Sequence, residues 1–174
     1  QFIKIGDDLY YFSSNGRTGS ISVNGKDYYV EQNGKVLRGS FNVYQQPPYY
    51  DDETGEAVKK TGFVKSDGRW YYLEEDGKKA KGLKEIDGKL YYFEYDGVMK
   101  MGDFYIYDSE TGTSKRYYAD ENGKITRNDW YQAGVDWYYA DANGQKETNK
   151  WIDETYYLNG SGAMVRGTCR IEGI

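Results

Sequence analysis

The chain has 174 residues and a formal net charge of −5, with no histidine and a single cysteine, Cys169. Its basic residues form no stripe, which argues against a nucleic-acid partner, and no run approaches the roughly 20 apolar residues that span a membrane. Without histidine, Ser-His and Cys-His nucleophile pairs and the usual zinc sites are excluded. These features predict a non-catalytic protein without a metal or another cofactor.

Aromatic residues take the place of the aliphatic side chains of an ordinary core. Tyrosine accounts for 21 residues, against 6 phenylalanines and 4 tryptophans. A core of tyrosine rings must leave the hydroxyls within reach of water or a partner. The 22 glycines and only two prolines indicate many tight turns.

A Tyr-Tyr pair recurs eight times, and a glycine follows each pair six residues after its first tyrosine. The first tyrosines are Tyr10, Tyr28, Tyr49, Tyr71, Tyr91, Tyr117, Tyr138 and Tyr156. The glycines are Gly16, Gly34, Gly55, Gly77, Gly97, Gly123, Gly144 and Gly162. Successive pairs lie 18 to 26 residues apart, a spacing typical of repeat proteins. The sequence therefore predicts an all-β solenoid of stacked β-hairpin repeats of about 20 residues, with residues 1–174 as one domain.

Each repeat is predicted to contain a strand, a tight turn, a Tyr-Tyr strand and a second turn. A type I′ hairpin turn needs positive φ at both central residues, which Asn-Gly and Asp-Gly provide. Such pairs are Asn24-Gly25, Asp67-Gly68 and Asp87-Gly88, while Gly6 and Gly134 lie one residue further back in their repeats. The residue before the second-turn glycine is Asn or Asp in six of the eight repeats, which predicts left-handed geometry and side-chain capping there.

Three stretches depart from the regular repeat. Residues 40–61 carry Gln45-Gln46-Pro47-Pro48 where a turn is expected, so this unit is predicted to be irregular or an edge, because proline cannot donate to a strand ladder. Residues 98–116 include an insertion from Tyr105 to Gly112. Residues 168–174 follow the last repeat as a C-terminal tail or cap.

Two segments carry a fuller version of the motif. They comprise Trp70-Tyr71-Tyr72-Leu73, Asp76-Gly77 and Gly82-Leu83 in one, and Trp130, Trp137-Tyr138-Tyr139, Asn143-Gly144 and Trp151 in the other. This order resembles the cell-wall-binding repeat superfamily of Gram-positive bacteria, which includes choline-binding modules, the glucan-binding repeats of glucosyltransferases and the repeats of clostridial toxins. Weaker copies cover most of residues 5–167.

The resemblance implies a hairpin solenoid in a protein that is extracellular, on the cell surface or in the cell wall. In choline-binding members, the ligand lies in a cage between consecutive hairpins. The cage is formed by the tryptophan of a Gly-Trp step, aromatics around Trp-Tyr-Tyr and an aromatic of the next repeat, whose π faces attract a quaternary ammonium. Glucan-binding members stack similar surfaces on sugar rings. The implied partner is a cell-wall polymer: choline-bearing teichoic acid, a glucan or a host glycan.

Most repeats lack the tryptophan of the Gly-Trp step. The residues in its place include Phe63, Leu83, Asp103 and Thr168. Trp130 and Trp151 retain it, preceded by Asp129 and Lys150 in place of glycine. Choline cages are therefore expected in at most one part of the chain.

The candidate ligand-binding residues form one complete aromatic set: Trp130, Trp137, Tyr139 and Trp151. Trp137 and Tyr139 share a strand face, because side chains alternate along a strand. Trp130 and Trp151 hold equivalent steps of adjacent repeats. A weaker set consists of Phe63, Trp70 and Tyr72. The alternative for both sets is a role in the packing core, which is also the role predicted for the Tyr-Tyr pairs.

Acidic clusters at Asp51-Asp52-Glu53 and Asp120-Glu121 do not have the EF-hand spacing, so they are predicted to be solvated turns. The leading prediction is a non-catalytic carbohydrate- or cell-wall-polymer-binding module that anchors or targets a bacterial surface or secreted protein. The alternative is a structural stalk or protein-interaction scaffold whose ligand sites have decayed. Since the chain begins at Gln1, we expect a processed or excised piece, to which other domains can be attached in the full-length protein.

Overall fold

The computed structural model describes residues 1–39 and 49–167, where every regular element is a β-strand. The strands are β1 (Phe2–Ile5), β2 (Asp8–Tyr11), β3 (Gly19–Val23), β4 (Lys26–Val30), β5 (Tyr49–Tyr50), β6 (Ala57–Val58), β7 (Gly62–Ser66), β8 (Arg69–Leu73), β9 (Gly82–Ile86), β10 (Lys89–Phe93), β11 (Gly102–Asp108), β12 (Thr113–Ala119), β13 (Asp129–Ala133), β14 (Asp136–Ala140), β15 (Lys150–Ile152) and β16 (Tyr156–Leu158). Each odd-numbered strand pairs with the strand that follows it in a two-stranded sheet. The predicted all-β fold of hairpin repeats is confirmed. The predictions for Gln45-Gln46-Pro47-Pro48 and for residues 168–174 fall outside the described residues.

The predicted tight turns have the backbone angles that their sequences require. Asp67 and Gly68 have φ of 49° and 75°, and Asn24-Gly25 and Asp87-Gly88 are similar, as in type I′ turns. Gly6 and Gly134 have φ of 62° and 65°, whereas the residues after them are not left-handed. A single left-handed residue at the first central position is typical of type II′ turns, which explains the displaced glycine in these two repeats.

The second turn also forms at every pair, and its eight glycines have φ between 56° and 89°. The prediction of left-handed geometry for the preceding Asn or Asp is wrong, because none of these residues has positive φ. Their side chains act as caps instead. Asn33, Asp76 and Asp96 each accept the amide of the residue two positions later at 2.9–3.0 Å. Glycine alone provides the left-handed residue here, at no steric cost.

The second-turn glycine also allows close packing between repeats. A Cβ atom on Gly144 would lie 2.7 Å from Cγ2 of Ile125, in the preceding repeat. A Cβ atom on Gly55 would lie 2.6 Å from Val36 in the same way. At Gly55, Gly97, Gly144 and Gly162 the glycine thus serves both the turn and the contact with the preceding repeat, whereas nothing lies within 4 Å of Gly16.

The two tyrosines of a pair face opposite sides of the hairpin. Tyr71 and Leu73 are 3% and 1% exposed, whereas Trp70 on the other face is 36% exposed. One cluster of the core contains Tyr49, Val64, Tyr71 and Leu73. Another contains Phe104, Tyr117, Ala119 and Ile125. The predicted packing role therefore belongs mainly to the first tyrosine, and the second tyrosine lies on the outer face.

The chain divides into two compact units. One comprises residues 1–82 and 93–99, and the other comprises residues 83–92 and those from 100 onward. Successive hairpins pack on each other within each unit. The prediction of one domain over residues 1–174 remains a prediction. A search of the described residues finds no helix with the length and apolar character that crossing a membrane requires.

Hairpin length varies along the chain and explains the irregular spacing. In β11–β12 the insertion lengthens both strands to seven residues, while the pairing of Asp103 with Tyr118 keeps the regular register. The hairpin β15–β16 is shorter, with three residues in each strand. Tyr49 and Tyr50 pair with the strand that follows them, and the strand expected before them falls within residues 40–48, outside the described residues.

Candidate functional site

In most of the described hairpins, one position lies opposite the second tyrosine of the pair and corresponds to the tryptophan of the Gly-Trp step; in β5–β6, Tyr50 pairs with Ala57 instead. We call this position the step position. The pairs are Phe2 with Tyr11, Phe63 with Tyr72, Asp103 with Tyr118, Trp130 with Tyr139, and Trp151 with Tyr157. Directly opposed side chains in a hairpin are close enough to touch. The residue at the step position therefore determines what surrounds the outer tyrosine.

Trp130 has two aromatic neighbours from two hairpins. Its ring centroid lies 5.3 Å from that of Tyr139, at an interplanar angle of 75°. The distance to the ring of Tyr156, in the next hairpin, is also 5.3 Å, at 78°. Both tyrosine rings thus stand nearly perpendicular to the indole. We call Trp130, Tyr139 and Tyr156 the aromatic corner.

Tyr156 lies directly after the turn of the short hairpin β15–β16. The amide of Thr155 donates to the Ile152 carbonyl at 3.1 Å, and Asp153 and Glu154 between them are left-handed. Tyr156 is the first tyrosine of its pair, yet it is 46% exposed. The equivalent Tyr71 is buried, so the first tyrosine of this last described hairpin is far more exposed than its counterpart.

In the two hairpins where a polar residue replaces the glycine of the Gly-Trp step, the left-handed residue lies one position earlier in the chain. Asn128 and Asn149, which precede Asp129 and Lys150, are left-handed with φ of 50° and 48°. Asparagine tolerates this region better than most residues. The Asn128 side chain also accepts a hydrogen bond from the Tyr139 hydroxyl at 3.2 Å. The same asparagine thus sets the entry into β13 and fixes one ring of the aromatic corner.

The structure brings together only part of the predicted aromatic set. Trp130 and Tyr139 are in contact, whereas Trp151 packs on Tyr157 with centroids 5.3 Å apart and is 43% exposed. Trp137 lies on the same face of β14 as Tyr139 and is 39% exposed. Sequence reasoning missed Tyr156. The available signal was the spacing from tryptophan to tyrosine pair, which is five residues from Trp151 to Tyr156 and eight from Trp130 to Tyr138.

The weaker candidate set contains a smaller version of this arrangement. Phe63 and Tyr72 have centroids 5.0 Å apart at 74°. Trp70 shares the face of Tyr72, and Nζ of Lys65 lies 5.7 Å from the Trp70 ring centroid. A cation of the protein itself therefore already lies near the exposed indole.

The step position of the preceding hairpin, Asp103, has a different environment. Its carboxylate accepts a hydrogen bond from Nε of Arg116 at 2.9 Å, which raises the pKa of Arg116. The Arg116 guanidinium also lies 5.7 Å from the Tyr105 ring and 5.9 Å from the Tyr138 ring. Nζ of Lys146 lies 4.9 Å from Tyr138, and burial lowers the pKa of this lysine. Cations of the chain therefore lie against the ring that corresponds to Tyr156.

The acidic clusters cap their own turns. Asp51 accepts the amides of Glu53 and Thr54 at 3.0 and 2.9 Å. Asp120 accepts the amides of Asn122 and Lys124 at 2.9 Å. Within residues 1–39 and 49–167, no group of three or more metal-ligating side chains comes together.

Comparison with known proteins identifies repeats of one kind along the chain. A family model described as "Choline-binding repeat" matches residues 80–130. A second, described as "Putative cell wall binding repeat", matches residues 1–17, 61–79 and 153–164.

Similar proteins come from streptococci. Glucosyltransferase-S of Streptococcus mutans is 36% identical over 125 residues, which cover 70% of this chain and 8% of the relative. Choline binding protein F of Streptococcus pneumoniae, solved with a peptidoglycan analogue, is 30% identical with a TM-score of 0.55, over 90% of this chain and 55% of the other. CbpJ of the same organism shares the fold, with 24% identity and a TM-score of 0.57, over 94% of this chain and 57% of the other. The chain thus spans a small part of the glucosyltransferase and about half of each solved protein.

Proposed function

Because this chain belongs to the cell-wall-binding repeat superfamily of Gram-positive bacteria, we propose that it attaches its parent protein to a choline-bearing cell-wall polymer through the aromatic corner. The superfamily assigns the chain to carbohydrate- and cell-wall-binding modules. The ligand and the residues that bind it are the proposed part. The proposal also places the protein outside the cell, where such polymers lie.

The arrangement of Trp130 between two perpendicular tyrosines carries the proposal. A trimethylammonium group has no hydrogen to donate, so its recognition depends on apolar contact and on the electron-rich faces of aromatic rings. Rings at right angles can contact such a compact group from more than one side, whereas a flat platform offers one. The exposure of Tyr156 leaves the corner open to a ligand.

One carboxylate beside the corner favours a cation, while Lys89, Lys124 and Arg127 also line the cleft at Trp130. The whole chain carries a net charge of −5. Asp129 precedes Trp130, and its carboxylate accepts a hydrogen bond from the Trp130 backbone amide at 2.7 Å. A negative field raises the local concentration of positively charged ligands.

Glucan is the second candidate ligand, because the Streptococcus mutans relative is a glucosyltransferase. Exposed aromatic faces also stack on sugar rings, so Trp130 and Trp151 could contact a glucan. The two candidate ligands differ in charge and in shape: choline is charged and compact, whereas a glucan is neutral and extended.

The test is calorimetric titration of the chain with choline chloride, with sodium chloride as the ionic-strength control and dextran as the glucan. Trp130→Ala should weaken choline binding at least tenfold, since a desolvated cation–π contact is worth about 2 kcal/mol. Trp70→Ala, which removes an exposed tryptophan of the other unit, should leave it unchanged.

Equal losses in both variants, or no saturable heat with choline, would contradict the proposal. Dextran binding that depends on Trp130 would assign the corner to glucan. If neither ligand binds the intact chain, the scaffold alternative replaces a ligand-binding role for this site.

A further inference from the structure

The first hairpin, β1–β2, exposes apolar side chains that later hairpins bury. Ile3 is 38% exposed, whereas Val64, at the same place in β7, is 3% exposed. Phe12 directly follows the Tyr-Tyr pair and is 50% exposed, whereas the equivalent Leu73 is 1% exposed. Ile5 shares the face of Ile3, because side chains alternate along a strand, and is also exposed. We call the surface formed by Ile3, Ile5, Tyr10 and Phe12 the head face.

In later hairpins the corresponding inner face packs on the outer face of the hairpin before it. Tyr28 of β4 contacts Phe2 of β1, with ring centroids 4.8 Å apart. Tyr131 of β13 stacks on Tyr118 of β12 at 4.5 Å. Each of these contacts joins an inner ring to an outer ring one hairpin earlier. Among the described hairpins, none precedes β1–β2 and covers the head face in this way.

The last described hairpin, β15–β16, presents an outer face of the kind that the head face lacks. Trp151 stands opposite Tyr157 with ring centroids 5.3 Å apart, and Trp151 is exposed. No later hairpin in the described part of the chain packs on these two rings. We call Trp151 and Tyr157 the tail face. A head face on a tail face would continue the interface that already joins successive hairpins within the chain.

The charges beside the two faces are complementary as well. Inside the chain, Arg127 follows the hairpin β11–β12 and donates to the Gly88 carbonyl, in the tight turn of the hairpin before it, at 3.0 Å. Beside the head face, Arg17 follows the second turn of β1–β2, and the tight turn of the tail hairpin contains Asp153 and Glu154. All three of these charged residues are exposed. Contact between the two faces would therefore bring a cation to an acidic turn.

We propose that the head face binds the tail face of a second copy of this chain, so that copies associate head to tail. Such an interface joins two different surfaces and leaves one face free at each end of the assembly, so it can extend into an open chain. Repeat proteins remain soluble when their terminal units are polar, whereas the head face is apolar. Association would also place several polymer-binding copies side by side, which strengthens attachment through multivalency.

Sedimentation velocity at increasing protein concentration tests the proposal. The average mass of the unmodified chain should rise beyond that of a dimer. Ile5→Asp on the head face and Trp151→Asp on the tail face should each keep the chain monomeric. Both substitutions are compatible with the hairpins, because Ile5 is exposed and Asp103 occupies the position of Trp151 in β11–β12. Circular dichroism checks that each variant is folded.

A mixture of the two variants distinguishes head-to-tail association from a symmetric contact. The intact tail face of Ile5→Asp can bind the intact head face of Trp151→Asp, and the resulting dimer has no intact face left. We therefore expect a mixed dimer that does not grow with concentration. The matched control is Val135→Asp, which replaces an exposed valine outside both faces; Asp7 holds the corresponding turn position in β1–β2. This control should associate like the unmodified chain.

The charged contact has a smaller expected effect. Arg17→Glu should weaken the association about twofold to fivefold at low salt, because exposed ion pairs contribute little. The inference does not depend on choline binding, since Ile5 lies outside the aromatic corner. Ile5→Asp should bind choline as the unmodified chain does, so the two proposals fail independently.

Monomeric single variants and a mixed dimer would support the proposal. A chain that stays monomeric up to about 1 mM overturns it and leaves the head face to another occupant, such as a further repeat of the parent protein. The proposal is also overturned by a closed dimer that both single variants retain, or by an equal loss of association in Val135→Asp.

Discussion

Two neighbouring hairpins place very different residues at the same step position. In β13–β14, Trp130 stands opposite Tyr139 and reaches Tyr156 of the next hairpin. In β11–β12, Asp103 stands opposite Tyr118 and binds Arg116, whose guanidinium lies against Tyr138 of the next hairpin. The step position at Trp130 forms an open aromatic corner. At Asp103, the Arg116 guanidinium takes the place that a bound cation would occupy. The repeat thus fixes the location of a site, while one or two side chains determine whether it is open.

Substitution of a second-turn glycine should disrupt the packing of one hairpin on the preceding one. Gly144→Ala would place Cβ 2.7 Å from Ile125 at φ +83°, so overpacking adds to left-handed strain. We expect a loss of about 3 kcal/mol in the free energy of unfolding. The control is Gly134→Ala, where φ is +65° and nothing lies within 4 Å; it should cost about 1 kcal/mol. Urea unfolding measures both, and equal costs would refute the packing role.

The closed step position at Asp103 can be converted into an open one like that at Trp130. The double variant Asp103→Trp with Arg116→Leu supplies the missing indole and removes the guanidinium. It is made in a Lys146→Leu background, because Nζ of Lys146 also lies against the Tyr138 ring, at 4.9 Å. Calorimetry should then show a second choline equivalent per chain. Asp103→Trp alone keeps Arg116 near Tyr138 and should show no gain. A gain in the single variant, or none in the double variant, would show that Arg116 does not close the site.

The smallest effect concerns Tyr131, which packs between Tyr118 and Tyr138 with centroids 4.5 and 5.5 Å away. Its hydroxyl is buried and has no hydrogen-bond partner in the described part of the chain. Tyr131→Phe should therefore be neutral or stabilise the fold by up to about 1 kcal/mol. Thermal unfolding checks this, and a clear loss of stability would indicate a partner for the hydroxyl.

Burial also raises the pKa of Tyr131 above its ordinary value. The folded state therefore keeps this phenol protonated at a pH where the unfolded chain ionises. Its contribution to stability is complete below about pH 10 and declines as the pH rises beyond that. In Tyr131→Phe, the free energy of unfolding should fall less steeply above about pH 10. An unchanged slope would show that this phenol titrates alike in both states.

Local chemistry made most of the fold predictable. Asp-Gly and Asn-Gly pairs need left-handed angles, so they located the hairpin turns, and alternation along a strand separated Tyr71 from Tyr72. The contacts of Trp130 were not predictable in the same way. They join side chains of two different hairpins, and strand alternation does not show which rings of successive repeats meet. The left-handed Asn128 was also missed, because the regular repeats use glycine one residue later.

The sheets of the described residues contain two strands each, and isolated bridges such as Leu73 with Lys79 follow the hairpins. Within the described residues, single backbone hydrogen bonds such as Met99 N–H to the Trp70 carbonyl at 2.8 Å connect successive repeats, in place of a continuous ladder. In repeat proteins of this kind, each unit is stabilised by its neighbours and can open separately. A chain that tethers a protein to a wall under flow would then extend hairpin by hairpin under load, absorbing tension in steps while the remaining repeats hold.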